Sequence, residues 1–312
     1  MSDLLTRYMG TGPLQNHPNP LLRYGGKVYS QNDEDGITFE ILRRIGLADG
    51  VFAEFGVGNG VQNNTLALAA SGWSGFWIGA QDLAFDTNPG QSTRLNFHFR
   101  KDWITRSNIV SLHRDALGMI RKPGCDLISI DLDGNDYYII EELLTSGVAP
   151  KVFIAEYNGR FIPPIRFKID YDDDHKWVGD DYFGASLASL SDLFEKHDYF
   201  LACCNITGAN SFFTKNELKS CFKDVPTKIE QLYASPKYFL TGLDVSGHPP
   251  SRRTVEKIFM QLNSSQHDGP PLSQPAVGIG RGPPARYGNG RAWTEPGDRR
   301  RHANWRLIPG PW

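Results

Sequence analysis

The side chains best suited to chemistry in this 312-residue chain stand where apolar runs end. Residues 51–60, VFAEFGVGNG, are an apolar run that breaks into glycines. Its acidic and glycine positions are Glu54, Gly56, Gly58 and Gly60. Only glycine accepts a positive φ readily and lets a ligand approach the backbone without a Cβ in the way. The pattern predicts a buried first strand that runs into a tight, ligand-binding turn.

The spacing of these glycines separates two classes of cofactor. The dinucleotide fingerprint G-x-G-x-x-G has its third glycine where this chain has Val61. This departure disfavours a nicotinamide or flavin protein. E-x-G-x-G-x-G is instead the pattern of class I S-adenosylmethionine (SAM) methyltransferases, in which the loop lies under the methionine part of the cofactor. A tight strand-to-helix turn without a ligand remains the alternative.

Two later apolar runs also turn polar at their ends. They are CDLISIDLDGND (125–136) and KVFIAEYNG (151–159), and their terminal polar residues are Asp131, Asp133, Asn135, Asp136, Glu156 and Asn158. Ligands of open α/β sheets bind beyond the carboxyl ends of the strands. Buried carboxylates are costly unless they are paired or ligated, so we expect a cationic partner there.

Two sources could supply this positive charge together. The ammonium and sulfonium groups of SAM would supply some of it, and Mg²⁺ or another divalent ion could supply more. For the metal, the candidate ligands are Asp131, Asp133, Glu156 and Asn158. A simpler interpretation stays open for Asn135 and Asp136, which could form only a strand-to-helix turn with its cap.

Strands that alternate with helices predict an α/β fold with a parallel sheet. A first helix is expected from about Gln31, capped by Ser30 and ended by Gly46, with Phe39 among its inward residues. Further strands are expected at 75–80 and 95–99, in the two runs above, and in a hairpin with its turn at 207–210. We expect an irregular arm (1–28), one α/β domain (29–245) with a lid (160–183), a helical extension (246–262) and a disordered Gly/Pro/Arg-rich tail (263–312).

Composition excludes several classes of protein. The formal net charge of −2 does not indicate a protein that binds nucleic acid. No run approaches the ~20 apolar residues of a membrane span. The cysteines Cys125, Cys203, Cys204 and Cys221 lack zinc-ligand spacing and are expected to be reduced core thiols. We therefore expect a cytoplasmic protein.

Several motifs together resemble those of FkbM-like methyltransferases. They are VFAEFGVGNG, GWSGFWIG, DLISIDLDGNDYYI, KVFIAEYNG, DYFGASLASL and NITGANSFF. The resemblance spans about residues 30–218. It implies a Rossmann-like class I fold, with a seven-stranded, mostly parallel sheet whose last strand is antiparallel and with helices on both faces. It also implies SAM as the methyl donor.

The resemblance assigns roles by position. Glu54, Gly56, Gly58 and Gly60 would contact the methionine part of SAM, and Asp131 would lie near the methyl group. In this class an acid usually ends strand two and binds the ribose hydroxyls. This chain has no acid at that place, so Gln81 or Asp82 would substitute.

Methyl transfer to a hydroxyl requires in-line alignment and removal of the hydroxyl proton. Asp131, Asp133 and His175 are candidate general bases, and a divalent ion that lowers the pKa of the acceptor is the alternative. His175 stands in an Asp-rich loop, where a solvated histidine is also expected. Aromatic residues that could line an acceptor site or only pack the lid are Tyr157, Tyr171, Trp177 and Tyr182.

The sequence as a whole predicts a SAM-dependent O-methyltransferase. Its acceptor would be a small molecule or saccharide, with the methyl group placed on a hydroxyl of a sugar, glycoconjugate or secondary-metabolite precursor. A noncatalytic SAM-binding scaffold and, less favoured, an NAD-type oxidoreductase are the alternatives. The oligomeric state cannot be predicted from the sequence.

Overall fold

The computed structural model describes residue 14 and residues 16–85, 97–241, 248 and 251–264. These residues contain seven strands in one sheet. The strands are β1 (Val51–Phe55), β2 (Ser74–Gly79), β3 (Phe97–Lys101), β4 (Leu127–Ile130), β5 (Val152–Glu156), β6 (Tyr199–Cys204) and β7 (Asn210–Lys215).

Helices connect most of these strands. They are α1 (Glu34–Arg44), α2 (Leu66–Ala70), α3 (Ile109–Ile120), α4 (Asp136–Thr145), α5 (Leu187–Lys196), α6 (Ile229–Leu232) and α7 (Arg252–Ser264). Short 3₁₀ helices lie at Pro20–Tyr24, Asn216–Phe222 and Tyr238–Thr241. None of the helices in the described part of the chain has the length and apolar character needed to cross a bilayer.

The order of strands across the sheet is β3-β2-β1-β4-β5-β7-β6. β1 is parallel to β2 and β4, and β4 is parallel to β5. β7 is antiparallel to both of its neighbours, β5 and β6. The prediction of a Rossmann-like, mostly parallel seven-stranded sheet with the last strand antiparallel is confirmed.

Each face of the sheet buries its own apolar cluster, so helices cover both faces as expected. On one face Phe55, Ile130 and Phe153 pack with residues of α3, α4 and α5. On the other face Phe52 and Trp77 pack with residues of α1 and α2. β1 is buried along its whole length because it lies inside the sheet and between these two layers. Such double coverage explains why its sequence is nearly continuously apolar.

The start of α1 differs from its prediction. The helix begins at Glu34 rather than near Gln31, and its N-cap position is Asp33 rather than Ser30, although the Ser30 hydroxyl accepts the N–H of Asp35 at 3.3 Å. The Asp35 carboxylate instead accepts backbone N–H bonds from Val28, Tyr29 and Ser30 at 2.6–2.8 Å. The chain before the helix therefore turns around the first helical turn instead of continuing the helix.

Two predictions of burial were wrong. Phe39 is 38% exposed, because it follows the buried Ile37 by two positions and so lies on the other side of α1. Cys221 is exposed on a 3₁₀ helix, although Cys203 and Cys204 are buried in β6 as expected. The four cysteines are free.

The predicted lid, residues 160–183, is packed against the helical extension. Phe161 and Phe167 stack with ring centroids 4.1 Å apart, and Ile258 of α7 packs on their cluster. The Asp181 carboxylate accepts hydrogen bonds from Ser251 N and Thr254 Oγ1, both at 2.8 Å. α7 runs to Ser264 and thus includes the first two residues of the predicted tail; the rest of that tail, and the arm before residue 14, lie outside the described residues.

Candidate functional site

The glycine turn after β1 has the backbone that its sequence predicts. Gly56, Gly58 and Gly60 have φ values of +87°, +51° and +86°. A Cβ on Gly56 would stand 1.6 Å from the main-chain oxygen of Asp131, and one on Gly60 would stand 2.9 Å from Leu83 Cδ2. A Cβ on Gly58 would meet no atom of the described chain within 4 Å. Backbone packing thus requires glycine at position 56, the positive φ favours glycine at position 60, and Gly58 faces open space among the described residues.

The Glu54 carboxylate fixes the end of this turn by hydrogen bonds to the residues that follow it. Its Oε1 accepts the N–H of Asn64 at 2.9 Å, and its Oε2 accepts the N–H and hydroxyl of Thr65 at 3.0 and 2.5 Å. Burial raises the pKa of this carboxyl to about 7, against the opposing effect of these hydrogen bonds. In the structure Glu54 therefore binds the chain's own amides. Its predicted contact with the methionine part of SAM remains a prediction.

The residues after β2 lie beside the glycine turn. Ala84 N donates to Asn59 O at 2.8 Å, which attaches the segment to the turn. Gln81 is exposed, and Asp82 pairs with Lys101 Nζ at 2.6 Å while its side chain remains 84% exposed. Neither side chain is held towards the turn by a contact of its own, and their predicted role at the ribose stays a prediction.

Three of the predicted metal ligands meet at the carboxyl edge of the sheet. Asp131, Asp133 and Glu156 each offer an oxygen, and these oxygens lie within 4.8 Å of one another. Asp131 and Glu156 are half-buried, whereas Asp133 is exposed. No N–H or hydroxyl of the described residues donates to the buried Glu156 Oε2, and burial together with contact with the Asp131 carboxyl raises the pKa of Glu156. We call these residues the carboxylate triad.

The carboxylates of the triad repel one another and are also repelled by Asp136. Burial raises the pKa of Asp131 well above its usual range, and the charges of Asp133 and Asp136 raise it further. Burial and then the charge of Asp131 do the same to the pKa of Glu156. Desolvation, followed by the charge of Asp136, raises the pKa of Asp133 to about 6. Without a cation, the triad therefore retains protons that separate carboxylates would lose.

Asp136 stabilises the turn that contains Asp131 and Asp133. Its carboxylate accepts the N–H of Leu132 at 2.7 Å and that of Gly134 at 2.9 Å. These bonds hold Asp133 at a φ of +53°, a left-handed conformation that non-glycine residues seldom adopt. Asn135 exchanges hydrogen bonds with the backbone of Asp172 in the lid. The simpler interpretation, a structural turn, therefore applies to Asn135 and Asp136, but the Asn135 side chain bonds to the lid and does not cap α4.

Asn158, the fourth candidate ligand, is not part of the triad. Its Nδ2 donates to the main-chain oxygens of Asp181 and Phe183 at 2.9 and 3.1 Å, and its Oδ1 accepts the N–H of Arg160. The side chain is buried and joins the two ends of the lid. Its adjacency to Glu156 in sequence predicted a shared site, but the bonds that fix it run to the lid.

His175 lies over the triad-bearing turn without joining the triad. Its side chain is buried, and a Cβ on Gly134 would stand 2.2 Å from its Cδ2. A hydrogen bond links the imidazole to the backbone of Asp133, while its buried Nε2 has no partner. Burial lowers the pKa of this histidine, so it packs against the turn as a neutral ring. The expectation of a solvated histidine was wrong, and its role as a base stays a prediction.

The aromatic candidates divide by environment. Tyr157 is fully buried and donates to Ala234 O, Tyr171 accepts the N–H of Arg106, and Tyr182 lies under the guanidinium of Arg253. Trp177 alone joins a further aromatic cluster. These three tyrosines therefore pack or brace the lid region.

That further cluster contains residues that the sequence analysis did not identify. The His248 ring lies 4.6 Å from Trp177, 5.0 Å from Tyr238 and 5.3 Å from Phe183, measured between centroids. Burial and then the charges of Glu156 and Asp131 raise the pKa of Tyr238, the member of this cluster that the charge of the triad affects. Tyr238 and His248 lie beyond the last regular strand, where no periodicity marks a role.

Three polar residues, Gln31, Glu34 and Asp35, lie at or just before the start of α1. Glu34 is fully buried and accepts hydrogen bonds from Asn32, Asn205 and Asn210. Asp35 holds the turn before α1, as described above, and Gln31 is exposed. Glu34 therefore lies within a buried polar network under the site rather than at a solvated helix terminus.

Comparison with known proteins adds little to this description. No protein-family model matches the chain, and no curated protein matches it. Among solved structures, the chain is similar to WbdD, a crystal structure with 14% sequence identity and a TM-score of 0.33. The alignment covers 64% of this chain and 47% of that chain, so this chain spans about half of the neighbour's length. A likeness this weak carries no argument about function, which therefore depends on the site itself.

Proposed function

We propose that this protein is a SAM-dependent O-methyltransferase of the FkbM-like type that uses a divalent cation. The observation that carries the proposal is the contact between the glycine turn and the triad: Gly56 lies against the main chain of Asp131. A donor held by the turn would therefore lie next to an acceptor held at the triad. Such adjacency is what transfer of a group between two bound molecules requires.

The glycine turn suits the donor. The open space at Gly58, with its φ of +51°, leaves the backbone accessible to a ligand. The acids on both sides favour a ligand with positive charge, and SAM carries an ammonium and a sulfonium. A nicotinamide cofactor has pyrophosphate charges instead, which the nearby carboxylates would repel.

The triad suits a divalent cation. It offers three carboxylates whose oxygens lie within 4.8 Å, one of them with an unpartnered buried oxygen. Mg²⁺ and Mn²⁺ prefer such oxygen ligands. When bound, the cation would relieve the repulsion in the triad and lower the pKa of an acceptor hydroxyl.

The chain's own residues then have defined tasks. The turn after β1 would hold the donor beside the triad. SAM, when bound, would supply the methyl group to the acceptor oxygen, and the electron pair of the broken carbon–sulfur bond would remain on sulfur. Asp133, the most exposed member of the triad, would accept the hydroxyl proton. The aromatic cluster of Trp177, Phe183, Tyr238 and His248 would line the acceptor, since aromatic faces suit sugar rings.

The experiment that tests this proposal is calorimetric titration with S-adenosylhomocysteine, with and without Mg²⁺, beside a titration with NADH. Binding of the homocysteine product and not of NADH supports the donor site. A search for methylated products among saccharide and secondary-metabolite acceptors then tests turnover. Tight product binding with no methylated product from any acceptor would favour a noncatalytic SAM-binding protein. Binding of NADH alone would contradict the proposal.

A further inference from the structure

Two residues that each carry a buried oxygen without a hydrogen-bond partner among the described residues pair across strands at the end of the sheet. Glu156 ends β5 and Asn210 begins β7, and the two residues stand directly opposite each other in the antiparallel pair. Glu156 Oε2 and Asn210 Oδ1 both lack a hydrogen-bond partner. Asn210 is only 2% exposed, so water does not easily replace the missing donor. Two adjacent acceptors left in this way call for a donor or a cation between them.

The direction of the Asn210 carboxamide is fixed by Glu34. Asn210 Nδ2 donates to Glu34 Oε1 at 2.9 Å, and Glu34 is fully buried. A reversed amide would press its oxygen against this carboxylate, which is repulsive, so the oxygen must point away from Glu34. The backbone is also held, because Asn210 N donates to Asn205 Oδ1 at 2.9 Å. The oxygen is thus presented by a rigid network.

The Asn210 oxygen extends the triad on the side of β7. Ile130 of β4 is level with Ala155 of β5, so Asp131 is level with Glu156 on the neighbouring strand. Asp131, Glu156 and Asn210 therefore form a row across three adjacent strands at the carboxyl edge. A row of carboxylate and carboxamide oxygens is a ligand set for hard divalent cations, which take six or more oxygens.

We propose that Asn210 supplies a fourth protein oxygen to a divalent cation bound by Asp131, Asp133 and Glu156. Glu34 is a positioning residue, because it acts only through the Asn210 carboxamide. A neutral fourth ligand completes the site without adding another negative charge to three carboxylates. This inference rests on the cation site of the proposed function and adds a ligand from β7 that no strand-end pattern indicated.

The test uses the full chain and Mn²⁺ alone, with the loss of the free Mn²⁺ signal in electron paramagnetic resonance as the readout. Asn210→Ala should weaken Mn²⁺ binding by about tenfold or more, as is typical when a ligand or its support is removed. Asn32→Ala is the matched control, since Asn32 also donates to Glu34 Oε1 and has an unpartnered Oδ1. It should change Mn²⁺ affinity less than twofold.

The outcomes separate this inference from the proposed function. If wild type and Asn210→Ala bind Mn²⁺ equally, Asn210 is not a ligand, although the triad remains a metal site. If Asn32→Ala and Asn210→Ala weaken binding alike, the effect comes from the Glu34 network and the inference is overturned. If wild type binds no Mn²⁺, the cation site itself fails and takes this inference with it. Parallel titration with S-adenosylhomocysteine tests the donor site, and the urea midpoint of each variant shows whether it is folded.

Discussion

Gly56 and Asp131 approach each other so closely that no side chain fits between them: a Cβ on Gly56 would stand 1.6 Å from the Asp131 carbonyl oxygen. The contact is braced on both sides. Asp131 N donates to Phe55 O at 3.1 Å, and Gly56 N donates to Ile78 O at 2.9 Å. The end of β1 is therefore fixed between β4 and β2, and the glycine turn and the carboxylate triad share one rigid base.

This contact predicts that Gly56→Ala is severely destabilising. The new methyl group would force β1 and β4 apart, and the residue would also have to keep a φ of +87°. We expect a loss of roughly 3 kcal/mol or more in the free energy of unfolding, measured by urea denaturation. Gly46→Ala is the control, because Gly46 has a φ of +69° but a Cβ there meets nothing within 4 Å. It should cost only about 1 kcal/mol, and equal losses in the two variants would contradict the account of this contact.

Gly58→Val should separate ligand binding from folding. The side chain would enter the open space above the turn, so binding of S-adenosylhomocysteine should fall by at least about tenfold, by calorimetry. Gly46→Val imposes a comparable backbone strain far from the turn and should retain wild-type binding. Unchanged product affinity in Gly58→Val would mean that the donor does not lie over this glycine.

Removal of a triad carboxylate should weaken cation binding and activity together. We expect Asp133→Asn and Glu156→Gln each to lower Mn²⁺ affinity about tenfold or more. Because burial and mutual repulsion raise the pKa values of Asp131 and Glu156, Mn²⁺ binding should release protons and strengthen as pH rises. Calorimetry in buffers of different ionisation enthalpy measures the released protons. Activity that persists in a strong chelator would exclude the cation from the reaction.

The buried Glu54 predicts how stability depends on pH. Its pKa rises from 4.5 in the unfolded chain to about 7 in the folded protein, so the folded state binds the proton more tightly. This contribution is fully present below pH 4.5 and declines as pH rises through about 7. The contribution of Glu54 should therefore lower the urea midpoint of the metal-free protein at pH 8 relative to about pH 5.5. Glu54→Gln should flatten that slope, and an unaltered slope in the variant would assign the effect to other groups.

The bond between α7 and the lid predicts a change in local motion. Thr254→Val removes the hydroxyl that donates to Asp181 Oδ1 at 2.8 Å, with little change in volume. We expect a loss of about 1 kcal/mol and faster amide hydrogen exchange across residues 160–183. Val255→Ala, at a neighbouring residue that is 60% exposed, should leave exchange in the lid unchanged. Faster exchange in both variants would indicate general loosening of α7.

The parts of the fold that the sequence predicted are those marked by local signals, namely apolar runs and glycines. Continuous apolar runs mark β1, β4 and β5 because both sides of these strands are covered, and glycines mark the turn because its φ values are positive. Helix boundaries were less well predicted. Asp35 bonds to backbone groups five to seven residues away and so delays α1, and such competition for hydrogen bonds leaves no periodic signal.

The candidate site also has features that the sequence predicted and features that only the tertiary structure decided. The sequence by itself determined that Asp131, Asp133 and Glu156 end apolar strands, and parallel strands bring their carboxyl ends to one edge. Only the tertiary structure decided that Asn158 bonds to the lid, that His175 is buried, and that Asn210 stands opposite Glu156. The reason is physical. A strand's own pattern fixes which end its polar residues occupy, but the partner of each polar atom depends on chain segments distant in sequence that fold against it.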